Sequence, residues 1–224
     1  MLYLALSCLQ GRPIKSAAEE LLKLGVKGLQ LTPGLVPNVD FKSWLAEQNI
    51  DCLTHHGFSW HKYNTKVWNE TADCLVTSNS IHPPLLDSPP GKVWKQRAKQ
   101  GDYQDFLLET MYPKYHLGND FELAWAMDNH FRLAVDVSHI YIQLHSGCLS
   151  DSVWQRLQQY EHIGELHLSA NNGRADIHQP LTKNSFGLDW VKERAQDKIP
   201  VVLECYMHKL SHSERLQQIE LISL

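Results

Sequence analysis

The sequence predicts a compact (β/α)₈ barrel of the α/β class with some trimmed crossovers, and two observations predict it. Short β-like runs alternate with helix-like runs along nearly the whole chain, the pattern that folds into a parallel sheet covered by helices. Eight β-like runs can be read, at 2–7, 27–32, 51–56, 76–82, 106–110, 133–137, 164–169 and 200–205, and eight parallel strands suit a closed barrel.

The connections follow in order. The first, 14–24, carries an apolar stripe of Ala17, Leu21, Leu22 and Leu24 and stops at Gly25, a residue suited to a helix end. Helix-like runs follow at 41–47, 92–99, 120–127, 152–160, 188–194 and 213–222, with Asn119 or Asp120 as a cap before the fourth. The stretch 62–72 has poor periodicity and no room for a full helix with its loops, so the third crossover is expected to be trimmed. The proline-rich stretch 82–91 reads as a loop, because the alternation continues on both sides of it. At 224 residues, one domain spanning 1–224 is expected.

Composition limits the function classes. A formal net charge of −4 argues against a protein that coats nucleic acid, although a local basic groove can hide within an acidic average. The basic run Lys92, Lys95, Arg97 and Lys99 reads as a solvated helix face. Cys8, Cys52, Cys74, Cys148 and Cys205 are odd in number and contain no CxxC pair, as expected for packed thiols in a reducing compartment. The chain runs straight into Leu2-Tyr3-Leu4-Ala5-Leu6 without a secretory-type segment, and nowhere approaches the roughly 20 apolar residues of a membrane helix. A cytoplasmic protein without a membrane partner is expected; the oligomeric state is left open.

Function is signalled by where histidines and carboxylates fall. From the third strand onward nearly every predicted strand ends on one: His55 and His56, His82, Glu109, Asp136 with His139, His167 with Asp176 and His178, and Glu204. In a parallel barrel those ends meet on one face, so residues far apart in the chain become neighbours. Glu109, His167 and Glu204 lie in apolar runs, where an ionised or polar side chain needs a cation or hydrogen bonds. Asp136 and His139, three apart at a strand-to-helix turn, can both face the mouth; Asp176 and His178, two apart in extended chain, project to one side. Mixed imidazole and carboxylate suits zinc, manganese, iron or cobalt.

Four segments, FLLETMYP, LAVDVSHIYI, ELHLSANNGRADIHQPL and VVLECYM, resemble the fifth to eighth strand motifs of the xylose-isomerase-like TIM-barrel superfamily. That superfamily holds sugar isomerases and epimerases together with endonuclease IV. The resemblance implies that Glu109, Asp136, His167 and Glu204 are the ligands of the epimerases' single catalytic metal. It further implies that His55, His82, His139, Asp176 and His178 are the added ligands with which endonuclease IV holds three. His55 is preferred to His56 because His55-x-x-Phe58 fits the family pattern. Two departures stand out: Ala170 replaces an aspartate after the seventh strand, and Leu181-Thr182-Lys183-Asn184 replaces a glycine-containing turn, which puts phosphate recognition there in doubt.

Two enzyme readings follow. In the first, a sugar or sugar-phosphate isomerase or epimerase, Glu109 and Glu204 remove and return a carbon-bound proton through an enediolate. Phe58, Trp60 or Trp190 would wall the sugar. In the second, a phosphodiester hydrolase of the endonuclease IV kind with nucleic acid as partner, several metals activate water. Three dications with four carboxylates leave about +2, suited to a phosphate, whereas one dication with three leaves about −1, suited to a neutral polyol. A short chain and a Gln30-Leu31-Thr32-Pro33-Gly34 loop without arginine place the small-molecule reading first. A barrel that only binds a metal or ligand is the third possibility.

Overall fold

In a computed structural model of the protein, which describes residues 1–31, 39–56 and 76–222, eight parallel strands close into a barrel in chain order. They are β1 (Leu2–Ala5), β2 (Gly28–Leu31), β3 (Asp51–His56), β4 (Val76–Ile81), β5 (Leu107–Glu109), β6 (Leu133–Asp136), β7 (Ile163–Leu168) and β8 (Val201–Leu203). Closure comes from β1 pairing with β8, Leu2 opposite Val201 and Leu4 opposite Leu203. β2, β5, β6 and β8 are buried at every residue, because one face fills the barrel and the other lies under helices.

The helices are α1 (Ile14–Leu22), α2 (Val39–Glu47), α3 (Pro89–Lys99), α4 (Asp120–Asp128), α5 (Val137–His145), α6 (Asp151–Gln158), α7 (Leu188–Gln196) and α8 (His212–Glu220). Polar caps set several of their starts. Asn119 accepts from the Glu122 amide before α4, Ser150 from the Val153 amide before α6, and Ser211 forms a capping box with Glu214 before α8. No helix among the described residues is long and apolar enough to cross a membrane.

Two expectations are corrected. The end of the proline-rich stretch is helical, since α3 starts at Pro89 with Ser88 accepting from the Gly91 amide. Proline suits a helix's first positions, where its missing N–H has no partner to lose. α5, absent from the expected helices, begins directly after β6, because Asp136 ends the strand and caps the helix in one residue. The run LAVDVSHIYI around it contains no Gly, Pro or Asn to mark a turn.

The third crossover, with Phe58, Trp60 and His61, lies outside the described residues, as do Thr32, Pro33 and Gly34. Trp190 is no wall for a sugar: it packs edge-on to Trp154 at 5.1 Å, in the layer between α6 and α7. The basic face of α3 is partly paired, Lys95 with Glu122 at 2.6 Å and Arg97 with Asp102. Among the described residues Cys8, Cys52, Cys148 and Cys205 form no disulfide; Cys74 is outside them.

Candidate metal centre

Glu109, the last residue of β5, is 1% exposed and has imidazoles on both carboxylate oxygens. Its Oε2 lies 3.2 Å from His55 Nε2 and 3.1 Å from His82 Nε2, and those two nitrogens are 2.7 Å apart. Its Oε1 lies 3.4 Å from His139 Nδ1 and 3.6 Å from His167 Nδ1. His55, next to last in β3, has its ring buried; the side chain of His56 lies outside those described.

Asp136 and His167 are brought together by register, being direct partners across β6 and β7. Glu204, one residue past β8, approaches His167 Nδ1 to 3.4 Å. On the far side of Glu109, Asp176 Oδ2 stands 3.2 Å from His139 Nε2 and 3.1 Å from His178 Nε2. The structure thus gathers all nine sequence-predicted residues at the C-terminal mouth of the barrel.

Three overlapping groups have ligand atoms mutually within 4.8 Å, close enough to hold an ion: His55 with Glu109 and His167, Glu109 with Asp136 and His139, and Asp136 with His167 and Glu204. The donor chemistry also fits a cation. Glu109 Oε2, His167 Nδ1 and Asp176 Oδ1 are buried without a hydrogen-bond partner, a costly arrangement unless something charged completes it.

Without a cation, protons do the balancing. Burial opposes charge on His139, but Asp136, Asp176 and Glu109 outweigh it and hold the imidazole up to about 10. His178 is likewise held up to about 9 against burial, chiefly by its hydrogen bond to Asp176. Burial pushes Glu204 up to about 7, helped by Asp136 and Glu109. On Glu109 burial acts upward too, yet His82, His55 and His167 together hold it well below the usual carboxylate range. Glu204, Glu109 and Glu165 likewise outweigh burial at His167 and hold it up, so a cation must displace protons from His139, His167 and His178 at neutral pH. Zinc affinity is expected to rise from pH 6.5 to 8.5, about tenfold per unit for each proton displaced. Calorimetry in buffers of different ionisation enthalpy measures that release; buffer-independent heats would contradict it.

The sequence matches no protein-family model and no curated protein. Among solved structures, a Salmonella typhimurium protein that contains a xylose isomerase domain aligns over 98% of this chain and 94% of its own, with a TM-score of 0.55 and 13% identity. The TTHB071 protein of Thermus thermophilus, from a crystal soaked with ZnCl2, aligns over 98% and 96%, with a TM-score of 0.57 and 16% identity. SacUVDE aligns over 98% and 97%, with a TM-score of 0.52 and 9% identity. The chain has the xylose-isomerase-like barrel fold.

Within this xylose-isomerase-like barrel, a polar layer beneath the nine residues went unread in the sequence. Glu165 on β7 is fully buried, and its Oε1 accepts from His167 Nε2 at 2.7 Å, Gln30 Nε2 at 3.1 Å and Ser80 Oγ at 3.3 Å. Ser80 Oγ also meets His55 Nδ1 at 2.8 Å, and Thr110 O accepts from His139 Nδ1 at 2.9 Å. The signal was available for Glu165: a carboxylate within the apolar strand IGELHL, two residues before a histidine on the same strand face. For Ser80 and Thr110 no sequence signal marks them out. The departing turn after β7 closes on itself, since the Thr182 amide donates to Ser185 Oγ at 2.9 Å and the Asn184 amide to Thr182 Oγ1 at 3.3 Å.

Proposed function

We propose that the protein is a multinuclear metalloenzyme that hydrolyses a phosphate ester at the mouth of its barrel. The observation that carries this reading is the setting of Glu109, with His55 and His82 on one oxygen and His139 and His167 on the other. A carboxylate engaged at both oxygens is built to be shared between cations. An isomerase instead needs a free base that moves a proton to and from carbon.

By this reading His55, His82 and Glu109 hold one cation, and Glu109, Asp136, His167 and Glu204 another. His139, Asp176 and His178 hold a third. Three dications against those four carboxylates leave about +2, or about +1 when Glu165 is counted, a field suited to a phosphate anion. Zinc, manganese, iron or cobalt supplies, when bound, Lewis acidity toward a phosphoryl oxygen and acidifies a water at neutral pH. Burial of Glu109, His139 and His167 keeps bulk water from these charges, which strengthens every electrostatic contact among them. Tyr112, edge-on to His139 at 5.0 Å, and Tyr206, 4.9 Å from His178, brace the two rings that flank Asp176. The chain's −4 charge favours a small phosphorylated molecule, a sugar phosphate included, over a polynucleotide.

One observation favours the isomerase or epimerase as second reading. Glu204 is held up to about 7, so its carboxyl can take or release a proton near neutral pH. Elemental analysis of protein purified without chelator, followed by assays of two variants, separates the readings. More than one equivalent of metal per chain is expected. Asp176→Asn is expected to lose about one of them and to lower phosphate-ester cleavage by on the order of 10²-fold or more, measured on phosphodiesters, sugar phosphates and an abasic-site oligonucleotide. A single equivalent, a silent Asp176→Asn and a Glu204→Gln that loses about 10²–10⁴ of proton exchange into ketoses would replace the hydrolase with the isomerase.

A further inference from the structure

We infer that Glu165 is a shared positioning carboxylate, which fixes the rings of His55 and His167 so that each presents its unprotonated nitrogen to the metal centre. The inference rests on the metal-centre reading above and concerns a residue outside the nine.

The argument is one of donors and acceptors. His167 is fully buried, and its Nε2 lies 2.7 Å from Glu165 Oε1. A carboxylate at that distance accepts, so Nε2 keeps its proton and Nδ1 is the nitrogen left to turn a lone pair to a cation. Nδ1 is the atom that faces Glu204 Oε1 at 3.4 Å and Glu109 Oε1 at 3.6 Å, and it is buried without a hydrogen-bond partner. The Gln30 amide supports the same assignment. Its Nε2 sits 3.1 Å from Glu165 Oε1 and 3.2 Å from His167 Nε2, and an N–H can donate only to the first when the second already donates. Flipping the amide would set an oxygen against the carboxylate.

The same oxygen of Glu165 reaches His55 through Ser80. Ser80 Oγ lies 3.3 Å from Glu165 Oε1 and 3.5 Å from the Thr54 carbonyl, so its single proton has acceptors on both sides and the charged one is nearer. A hydroxyl that donates there accepts from His55 Nδ1, 2.8 Å away. His55 Nε2 is then the lone-pair nitrogen, and it points at Glu109 Oε2 and His82.

Strand geometry explains why one residue serves both rings. Glu165 and His167 are two apart on β7 and share the inner face, with Glu165 one layer deeper. His55 and Ser80 are direct register partners on β3 and β4. The deeper layer thus spans the barrel and supports ligands of two different cation positions. Fixing ligand tautomers from beneath contributes to metal affinity as well as to orientation.

The test is zinc binding and ring nitrogen spectroscopy on the full chain. Glu165→Gln keeps the volume of the side chain but not its charge. It is expected to weaken zinc binding, measured by chelator competition, by about 10- to 100-fold. In the zinc-loaded protein, long-range proton–nitrogen spectra should show His167 bound through Nδ1 and His55 through Nε2, with both patterns disturbed in Glu165→Gln. Ser80→Ala should disturb His55 and leave His167 as it was. Thermal melts of the metal-free variants report folding separately. A Glu165→Gln that melts lower but binds zinc as tightly and keeps both ring patterns overturns the inference in favour of a purely structural role. A Ser80→Ala that disturbs both rings equally, or neither, overturns the relay through Ser80. A wild type that takes up no zinc overturns the metal centre, and the inference with it.

Discussion

Glu109→Gln is expected to empty more of the metal centre than any other single substitution at the barrel mouth. The variant keeps the shape of the side chain but replaces one carboxylate oxygen with an amide nitrogen that donates. Four imidazole nitrogens lie within 3.1–3.6 Å of the two oxygens, so one pair of rings would face N–H groups in place of an acceptor. Every proposed position that shares Glu109 loses a negative ligand at once. The loss of activity should exceed the roughly 10²-fold that marks the upper end for an orienting partner. Metal content should fall by more than one equivalent. In the metal-free protein the same change removes a buried counter-charge from the His139 ring, a class of defect that costs about 3–5 kcal/mol. Elemental analysis and urea unfolding of the chelator-treated variant measure the two effects. Retention of full metal content would show that Glu109 is not shared, and the multinuclear reading would fall with that result.

Trp94→Ala is expected to be the most damaging substitution remote from the mouth. The indole is fully buried on α3, stacked on His116 at 4.7 Å and on Tyr103 at 5.8 Å, and tilted against Trp125 at 5.7 Å. Removing it leaves a void bounded by rigid rings that cannot collapse into it, a change that costs about 3–5 kcal/mol. At about 2–4 °C per kcal/mol for a chain of this length, Tm should fall by about 6–20 °C. None of the ring partners belongs to the nine mouth residues, so zinc affinity at a temperature where the variant is folded should match wild type. A melt displaced by less than about 2 °C would mean that the surrounding aromatics repack.

The fold was legible because its signals are local. Apolar runs bounded by turn residues located all eight strands, while Gly25 marked the end of one helix and Asn119 the start of another. α5 escaped because a single residue, Asp136, both ends a strand and caps a helix, which leaves no intervening loop to notice. The nine mouth residues were legible because strand ends in a parallel barrel converge, whatever the spacing along the chain. His55 was preferred over His56 on a motif, and the structure turns its ring onto Glu109.

By itself, then, the sequence determined the barrel and which side chains would gather at its mouth, since alternation and strand-end placement are properties of the chain read in order. Only the tertiary structure decided how those side chains divide their atoms. Which oxygen of Glu109 faces which imidazole, and that Asp176 stands between His139 and His178, depend on the stagger between strands far apart in sequence. Glu165 belongs to the same category. A buried carboxylate in an apolar strand is visible in the sequence, but its reach to His55 exists only because β3 and β4 bring Ser80 beside that ring while β7 supplies the carboxylate opposite. Hydrogen-bond partnership is set by distances of about 3 Å, and closure of the barrel fixes those distances.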